Sequence, residues 1–508
     1  ESFRNFLTFE YMKRITTYIS TTVLLVCATG CSSFLEVENI GKSTTPSFFA
    51  ELAGLKSAYN GIYSATYSFY DDYAVNYPDL ASDLADVTPN AGEMQTDIYN
   101  FLALPEDNAA YPRLVWRGAY SVVINANNII HYGPGLKESY PGDITEIDRI
   151  VAHAHFIRAL MFLNLCNAYC QTYTYTADAS HLGIPLPIRP ISFNDIIARS
   201  SLKEAYARII EDFNTALTTL EKTGESDVYY ASATACRALL ARVYLYMGNY
   251  ELAEEYASQV ISAVPLTPHD EYEMMFRYPH ENKGKETILR MSGYEKSSSI
   301  SKLYDPSNSP KALPSAKLLA QFDDPDDIRR QRLLHYNPVY EGYDDDTHGY
   351  EMDACVKYYV NDKYKKDNNG LYGHSDPFVV RCSEMSLIRA EALCNRTNPD
   401  LDGAAADLKA LIARATGKKA EEITLEYSGQ DGMNALIERE RMRELCFEGH
   451  RLLDIARHHQ NLVRDESSSA ITKTLEYPDY RFVLPICQLE MDSNPAMQQN
   501  PGYGGVEE

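Results

Sequence analysis

The sequence is poor in tryptophan, with 1 tryptophan among 508 residues against 39 tyrosines and 17 phenylalanines. A recognition surface built from several tryptophan side chains is therefore excluded. Trp116 recurs at helical spacing with Tyr120 and Ile124, which predicts a place in the core. Tyrosine combines a flat apolar ring with a hydroxyl group, which suits carbohydrate or peptide recognition. Any aromatic binding platform must therefore come from tyrosine.

Metal-binding spacings are also missing. The 10 cysteines form no CxxC pair, and no combination of cysteine and histidine has the spacing of a zinc site. Residues 323–327 and 344–346 are rich in aspartate, but neither segment has the loop spacing of an EF-hand. We therefore predict neither a metal site nor a cofactor. The cysteines of the body are expected to be buried free thiols.

The chain lacks an excess of positive charge and a second long apolar run. It carries 47 basic and 71 acidic residues, a formal charge of −24 at pH 7. Nucleic acid is excluded as a partner because its phosphates would be repelled. The apolar run at residues 15–26 is shorter than the roughly 20 residues that span a bilayer, and we expect no later segment to reach spanning length.

The N-terminal stretch is typical of a signal peptide. A basic start at Lys13 and Arg14 precedes the apolar run, and small residues follow it. The sequence ATGC at residues 28–31 resembles the lipobox of bacterial lipoproteins, in which cleavage before the cysteine leaves that cysteine lipidated. We predict a signal peptide over residues 1–30, with its true start at Met12. Lipidated Cys31 and a spacer would follow, over residues 31–45.

The most informative internal pattern lies at residues 237–265. Its small, aromatic, glycine and proline positions reproduce the tetratricopeptide template of two antiparallel helices, although Arg237 stands where the template has tryptophan. Residues 384–415 look like a degenerate second copy. Because one such unit cannot bury both of its faces, other helices should stack on it. We expect helical repeats mainly at residues 149–265 and 384–460, within a single body over residues 46–508.

Two segments are expected to be loops. Residues 266–380 are rich in tyrosine, aspartate and glycine and hold short strand-like runs, so they predict a loop-rich insertion. Residues 70–112 are interrupted by prolines and glycine. Loops on a rigid scaffold often carry binding residues. The sequence thus predicts a mostly α fold with tetratricopeptide-type repeats, a loop-rich lobe and a few short strands.

Several stretches, in order and over nearly the whole chain, resemble the SusD/RagB family of Bacteroidetes surface lipoproteins. They are the lipobox with SSFLEVE, WRGAYSVVINANNII, AHFIRALMFLNLCNAY with GIPLPI, ALLARVYLYMGNYELA, EMSLIRAEAL, LIERERMRELCFEGHRLLDIARH and YRFVLPICQLEMDSNPAMQQNPGY. The resemblance implies a SusD-like fold in a lipid-anchored protein of the outer membrane that faces the cell exterior. It also implies that the protein captures oligosaccharides for import through a partner SusC-like TonB-dependent transporter.

An enzymatic function is not predicted. Glu440, Glu444 and Glu448 lie four residues apart among arginines. On a helix this spacing suits ion pairs between packed elements, and it does not by itself provide the acid and base of a glycoside hydrolase. The family resemblance also assigns this segment to the scaffold. We therefore predict no catalytic residue.

Candidate ligand-binding residues come from the tyrosine-rich segments. Tyr59 and Tyr63 begin a series with a spacing of three or four residues, and these two are expected to lie in the core. We predict ligand contacts for later members and for nearby polar and loop residues: Tyr70, Tyr73, Tyr77, Asp79, Tyr99, Asn100, Tyr294 and Tyr304. Two alternatives stay open: a peptide-binding protein of the same family, and an assembly module without a ligand.

Overall fold

The computed structural model describes residues 45–106, 111–192, 194–277, 282–294, 296–343, 349–359 and 375–504. The predicted signal peptide, Cys31 and residues 344–346 lie outside the described residues. Residues 45–50 belong to a separate unit and hold one short helix, α1 (Thr45–Phe48). All later elements belong to one compact unit that begins at Glu51. The predicted limits of the signal peptide, the spacer, the helical repeats and the insertion stay predictions.

Residues 70–100, which follow the first long helix, pack against the core. Helix α2 (Leu52–Phe69) runs directly into a π-helical turn (Tyr70–Ala74), and α3 (Asn76–Leu80), strand β1 (Ala85–Val87) and α4 (Glu93–Asn100) follow. The prediction of loop over residues 70–112 is therefore wrong for most of its length. Apolar side chains at intervals along the segment are buried and hold it against the core, namely Val75, Leu80, Leu84 and Ile98.

A continuous stack of helices follows. Its members are α5 (Tyr111–Tyr132), α6 (Ile144–Tyr169), α7 (Leu202–Thr223), α8 (Ala233–Tyr246) and α9 (Tyr250–Ala263). Each of these helices packs on the next one in the chain, and α2 packs on α5 and α6. Between α6 and α7, strand β2 (Leu182–Pro185) pairs antiparallel with β3 (Arg199–Ser201).

Helix α6 is the apolar centre of this stack. Within the described residues, the helical segment Pro141–Tyr169 is long and apolar enough to cross a membrane by length and composition alone. This differs from the expectation that no later segment would reach that length. In its most apolar window 78% of the residues are buried inside the body, so packing against neighbouring helices accounts for its composition.

The predicted insertion is irregular and carries short elements. They are α10 (His269–Arg277), β4 (Thr287–Arg290), α11 (Ser299–Tyr304), β5 (Ala312–Pro314), α12 (Ala316–Leu319), β6 (His335–Tyr336), β7 (Met352–Asp353) and β8 (Phe378–Arg381). The strands pair antiparallel as β1 with β5, β4 with β8 and β6 with β7. The first pair joins the insertion to the segment after α3.

A second group of helices completes the body. It comprises α13 (Cys382–Asn395), α14 (Leu401–Thr416), α15 (Gly429–Glu444) and α16 (Arg451–Arg457), followed by the pair β9 (Leu462–Val463) and β10 (Thr474–Leu475) and by α17 (Gln488–Ser493). Helix α13 packs on α9, α14 and α15, so the two groups form one stack. The predicted mostly α fold with paired helices and a few short strands is confirmed.

A buried ion-pair network fastens the insertion to the second group of helices. Glu444 lies at its centre and receives hydrogen bonds from three arginines: Arg381 (2.6 Å), Arg414 (2.5 Å) and Arg329 (2.8 Å). The charges of these arginines hold the pKa of Glu444 well below its usual value, although burial acts to raise it. Glu444, the central member of the series Glu440, Glu444 and Glu448 that could suggest a catalytic site, thus forms structural ion pairs.

Candidate binding site

Most of the predicted ligand residues are buried. Six of them are 5% exposed or less: Tyr70, Tyr77, Asp79, Tyr99, Asn100 and Tyr304. The Tyr99 hydroxyl donates to Asp86 Oδ1 (2.5 Å), and the backbone amide of Ile471 donates to Asn100 Oδ1 (2.8 Å). In the described part of the chain these six side chains are covered by their neighbours, so their ligand contacts stay predictions. We therefore do not place them in the candidate site.

The other two predicted residues differ in their surroundings. Tyr73 is half-buried against Phe69 (ring centroids 5.9 Å apart) and Tyr111 (5.6 Å). It lines a cavity of about 50 Å³. Tyr294 is 55% exposed at the surface of the insertion. Of the eight predicted residues, Tyr294 offers the most accessible ring.

A group of tyrosines lies along one side of α2. We call this group, together with Tyr294, the tyrosine strip, because Tyr294 follows Gly293, whose backbone lies against the Tyr67 side chain. Its members are Tyr59, Tyr63 and Tyr67 of α2, Tyr229 and Tyr230 before α8, and Tyr294. Tyr230 stacks on Tyr59 with centroids 5.9 Å apart and an interplanar angle of 14°, and it meets Tyr63 edge-on at 5.0 Å. Tyr63, Tyr229 and Tyr230 are each partly exposed. The strip therefore reaches solvent.

The strip is held at one end by a cluster around His153 of α6. The Tyr63 hydroxyl lies 2.6 Å from His153 Nδ1, and Arg149 Nη1 donates to the Tyr59 hydroxyl (3.2 Å). Burial, together with the neighbouring charge of Arg149, lowers the pKa of His153 to about 3. The imidazole is neutral at neutral pH, so Arg149, which pairs with Glu146, supplies the positive charge beside these rings.

At the other end, Asp376 joins the insertion to the strip. Its carboxylate accepts hydrogen bonds from the Tyr229 hydroxyl (2.6 Å) and from the backbone amide of Gly293 (2.7 Å). Gly293 is required here, because a Cβ at this position would lie 2.2 Å from the Ser375 carbonyl oxygen and 2.9 Å from the Tyr67 ring. The close approach brings the backbone just before Tyr294 against the Tyr67 side chain.

A lysine lies beside the same end of the strip. Lys296 Nζ lies 4.4 Å from the centroid of the Tyr67 ring and donates to Ser64 Oγ (2.9 Å). Burial lowers the pKa of Lys296, and the nearby Asp71 opposes that effect. The strip thus combines aromatic faces with cationic donors from Arg149 and Lys296. Stacking with flanking hydrogen bonds is what this arrangement offers chemically.

Sequence reasoning missed part of this site. The prediction that Tyr59 lies in the core is confirmed, since it is buried, whereas Tyr63 was expected in the core and is partly exposed. Tyr229, Tyr230 and Lys296 were not singled out. The available signal was the adjacent tyrosine pair just before Ser232, whose Oγ accepts from Ala235 N and caps α8 (3.1 Å). Trp116 is 6% exposed, so its prediction as a core residue is confirmed.

The described residues contain no group of three or more histidine, cysteine, aspartate or glutamate side chains placed to hold a metal ion. The aspartates of 323–327 are engaged with cations: Asp323 with Arg443, Asp324 with Lys418, and Asp327 with Arg329. These ion pairs account for the acidic run without a bound ion.

Comparison with known proteins gives matches over most of the chain. A family described as "SusD family" matches residues 334–503, and one described as "Starch-binding associating with outer membrane" matches residues 33–245. A SusD-like protein of Bacteroides ovatus is 24% identical over 428 residues, which cover 77% of this chain and 74% of that protein. Tyr294 and Lys296 lie between the two matched regions.

Solved structures have the same fold. A SusD superfamily protein of Bacteroides thetaiotaomicron superposes with a TM-score of 0.74 at 25% identity, covering 89% of this chain and 99% of the other. One from Bacteroides vulgatus gives 0.74 at 24% identity, with the same coverage of both chains. A laminarin-binding SusD-like protein gives 0.67 at 20% identity, covering 89% and 99%.

Proposed function

We propose, on the premise that this chain belongs to the SusD/RagB family, that it binds oligosaccharides at the outer membrane without acting on them. In this proposal Cys31 carries the lipid anchor and the body faces the cell exterior. Bound oligosaccharide passes to a SusC-like TonB-dependent transporter, which carries out import.

The tyrosine strip is the observation that carries the binding part of this proposal. Sugar rings present C–H faces that stack on aromatic rings, and their hydroxyls hydrogen-bond to flanking polar groups. Tyr230 supplies a partly exposed ring and Tyr294 an exposed one, and Arg149 and Lys296 supply donors beside Tyr59 and Tyr67. The "starch-binding" description of one matching family and the laminarin-binding relative support a glycan as the ligand.

Calorimetric titration of residues 32–508 tests this proposal. The panel contains starch-derived and laminarin-derived oligosaccharides and, separately, mixed peptides. We expect heat with at least one oligosaccharide, and at least a tenfold weaker affinity after Tyr230→Ala or Tyr294→Ala. Tyr175→Ala is the matched control, because Tyr175 is 44% exposed and lies outside the strip. Its affinity should equal that of the wild type.

The other outcomes distinguish the alternatives. Heat with peptides and none with oligosaccharides would replace the glycan proposal with peptide binding. Heat with neither would favour an assembly module without a ligand. Equal loss of affinity in Tyr175→Ala and in the strip variants would place the binding site elsewhere.

A further inference from the structure

A buried carboxylate lies under the part of the insertion that carries Tyr294 and Lys296. Asp71, in the π-helical turn after α2, is 3% exposed. Its Oδ1 accepts from the Ser298 hydroxyl (2.6 Å), and its Oδ2 accepts from the backbone amide of Ser299 (2.6 Å). A longer bond comes from the amide of Ile300 (3.4 Å). Asp71 therefore binds the chain where α11 begins.

A second point of attachment lies on the other side of Tyr294 and Lys296. The Asp376 carboxylate holds the Gly293 amide, as described above, and neighbouring Ser375 reaches the first attachment. The Ser375 hydroxyl lies 2.5 Å from the Ser298 hydroxyl and donates to Asp71 Oδ1 (3.3 Å). The buried Asp376 thus holds the piece that ends at Tyr294, and the buried Asp71 holds the piece that begins at Lys296.

The groups that hydrogen-bond to Asp71 in the described part of the chain are neutral. The charged and titratable groups that face it are Asp72 on its own turn, Lys296 from the insertion, and Tyr67, which Asp376 also faces. Burial raises the pKa of Asp71 to about 6, against the opposing hydrogen bonds from Ser298 and Ser299. Because this pKa lies near neutrality, we expect the bonds between Asp71 and residues 298–300 to depend on pH.

We propose that Asp71 is the positioning residue of the binding site: it seats residues 296–304 on the turn that follows α2 and thereby sets the place of Lys296 against Tyr67. This inference rests on the proposed function for its link to ligand affinity. Asp71 touches no ligand in this account and acts through the segment that it holds.

The direction of the pH dependence follows from the environment of Asp71. If the segment that begins at Lys296 separates from Asp71, the Asp71 carboxyl group becomes solvated and its pKa returns to the ordinary value of about 4. The proton is therefore bound more tightly in the seated arrangement. Seating becomes more favourable as pH falls from 7 to 5, by about tenfold for a shift from 3.8 to about 6. Asp71→Asn, which is always neutral, should remove this dependence.

Hydrogen exchange measured by mass spectrometry tests the proposal without a ligand. Peptides covering residues 291–304 of the chain 32–508 are followed at pH 5 and 7, with correction for the intrinsic exchange rates. We expect about tenfold slower exchange at pH 5 in the wild type and no change in Asp71→Asn. Asp71→Ala should exchange at least tenfold faster than the wild type at both values.

The control is Asp407→Asn, which alters another buried aspartate, in α14. It should leave exchange of residues 291–304 unchanged, and calorimetric unfolding confirms that each variant is folded. If Asp71→Ala unfolds, Ser298→Ala takes its place, with faster exchange expected. Wild-type exchange that does not respond to pH, or equal exchange in Asp71→Ala and the wild type, would overturn the proposal.

Affinity for the oligosaccharide that binds the wild type completes the test. The affinity should fall at least tenfold in Asp71→Ala. In Asp71→Asn it should equal the affinity of the wild type at pH 5. Unchanged affinity in a variant with faster exchange would refute the link to binding. If no oligosaccharide binds the wild type, the proposed function fails, while the exchange data still decide whether Asp71 seats the segment.

Discussion

Replacing Glu444 by glutamine should destabilise the protein by about 3 kcal/mol. Glu444 is fully buried, and its Oε1 accepts from Arg381 and Arg414 and also from the Tyr272 hydroxyl (2.9 Å). Its Oε2 accepts from Arg329. A glutamine must place its NH₂ group against at least one arginine donor, so a charge-assisted hydrogen bond is lost and replaced by repulsion.

The magnitude follows from what remains in the network. Removing one partner of a buried ion pair typically costs about 3–5 kcal/mol. The lower end applies because Glu286 still pairs with Arg381 and Arg414 (both 2.7 Å) after the substitution. Since a domain is stable by about 5–15 kcal/mol in total, this loss is large.

Urea unfolding of the wild type and of Glu444→Gln measures this loss. Glu438→Gln is the control, because Glu438 makes a comparable ion pair with Arg451 (3.0 Å) but is 27% exposed. The control should lose less than about 1 kcal/mol. Equal losses in the two variants would refute the account of Glu444 as the centre of the buried network.

Three further results are expected. Glu448 should contribute a fall of about 3 kcal/mol in the free energy of unfolding from pH 5 to pH 2, because the charges of Arg381 and Lys357 outweigh burial and lower its pKa to about 2; an equally steep fall in Glu448→Gln would contradict this. Tyr304→Phe should be neutral or stabilise the protein by about 1 kcal/mol, because the buried Tyr304 hydroxyl has no hydrogen-bond partner among the described residues; weaker glycan binding would instead restore its predicted ligand role. Cys31→Ser should release the protein from the membrane fraction, as measured by fractionation and lipid labelling; retention there would exclude Cys31 as the anchor.

The helical scaffold was predictable because its pattern is local. The offsets at residues 237–265 report which side chains pack between two neighbouring helices, and α8 and α9 form the expected pair. Residues 384–415 likewise fold as α13 and α14. In both helix pairs the contacts join residues that are close in the sequence, so the spacing of the residues predicts them.

The binding site was less predictable because it depends on contacts between distant segments. A spacing of three or four residues places tyrosines on one side of a helix, but it does not predict which of them are buried by other elements. Tyr70 and Tyr77 are buried since the chain continues as helix after α2. Tyr230 and Gly293 approach tyrosines of α2 from other elements, and no local sequence pattern predicts that approach.

The most direct test of the tyrosine strip compares two substitutions at Tyr294 with the same oligosaccharide. Tyr294→Phe keeps the aromatic face, and Tyr294→Ala removes it. If stacking carries recognition, the phenylalanine variant should bind within about threefold of the wild type and the alanine variant at least about tenfold more weakly. Wild-type affinity in Tyr294→Ala would contradict the account.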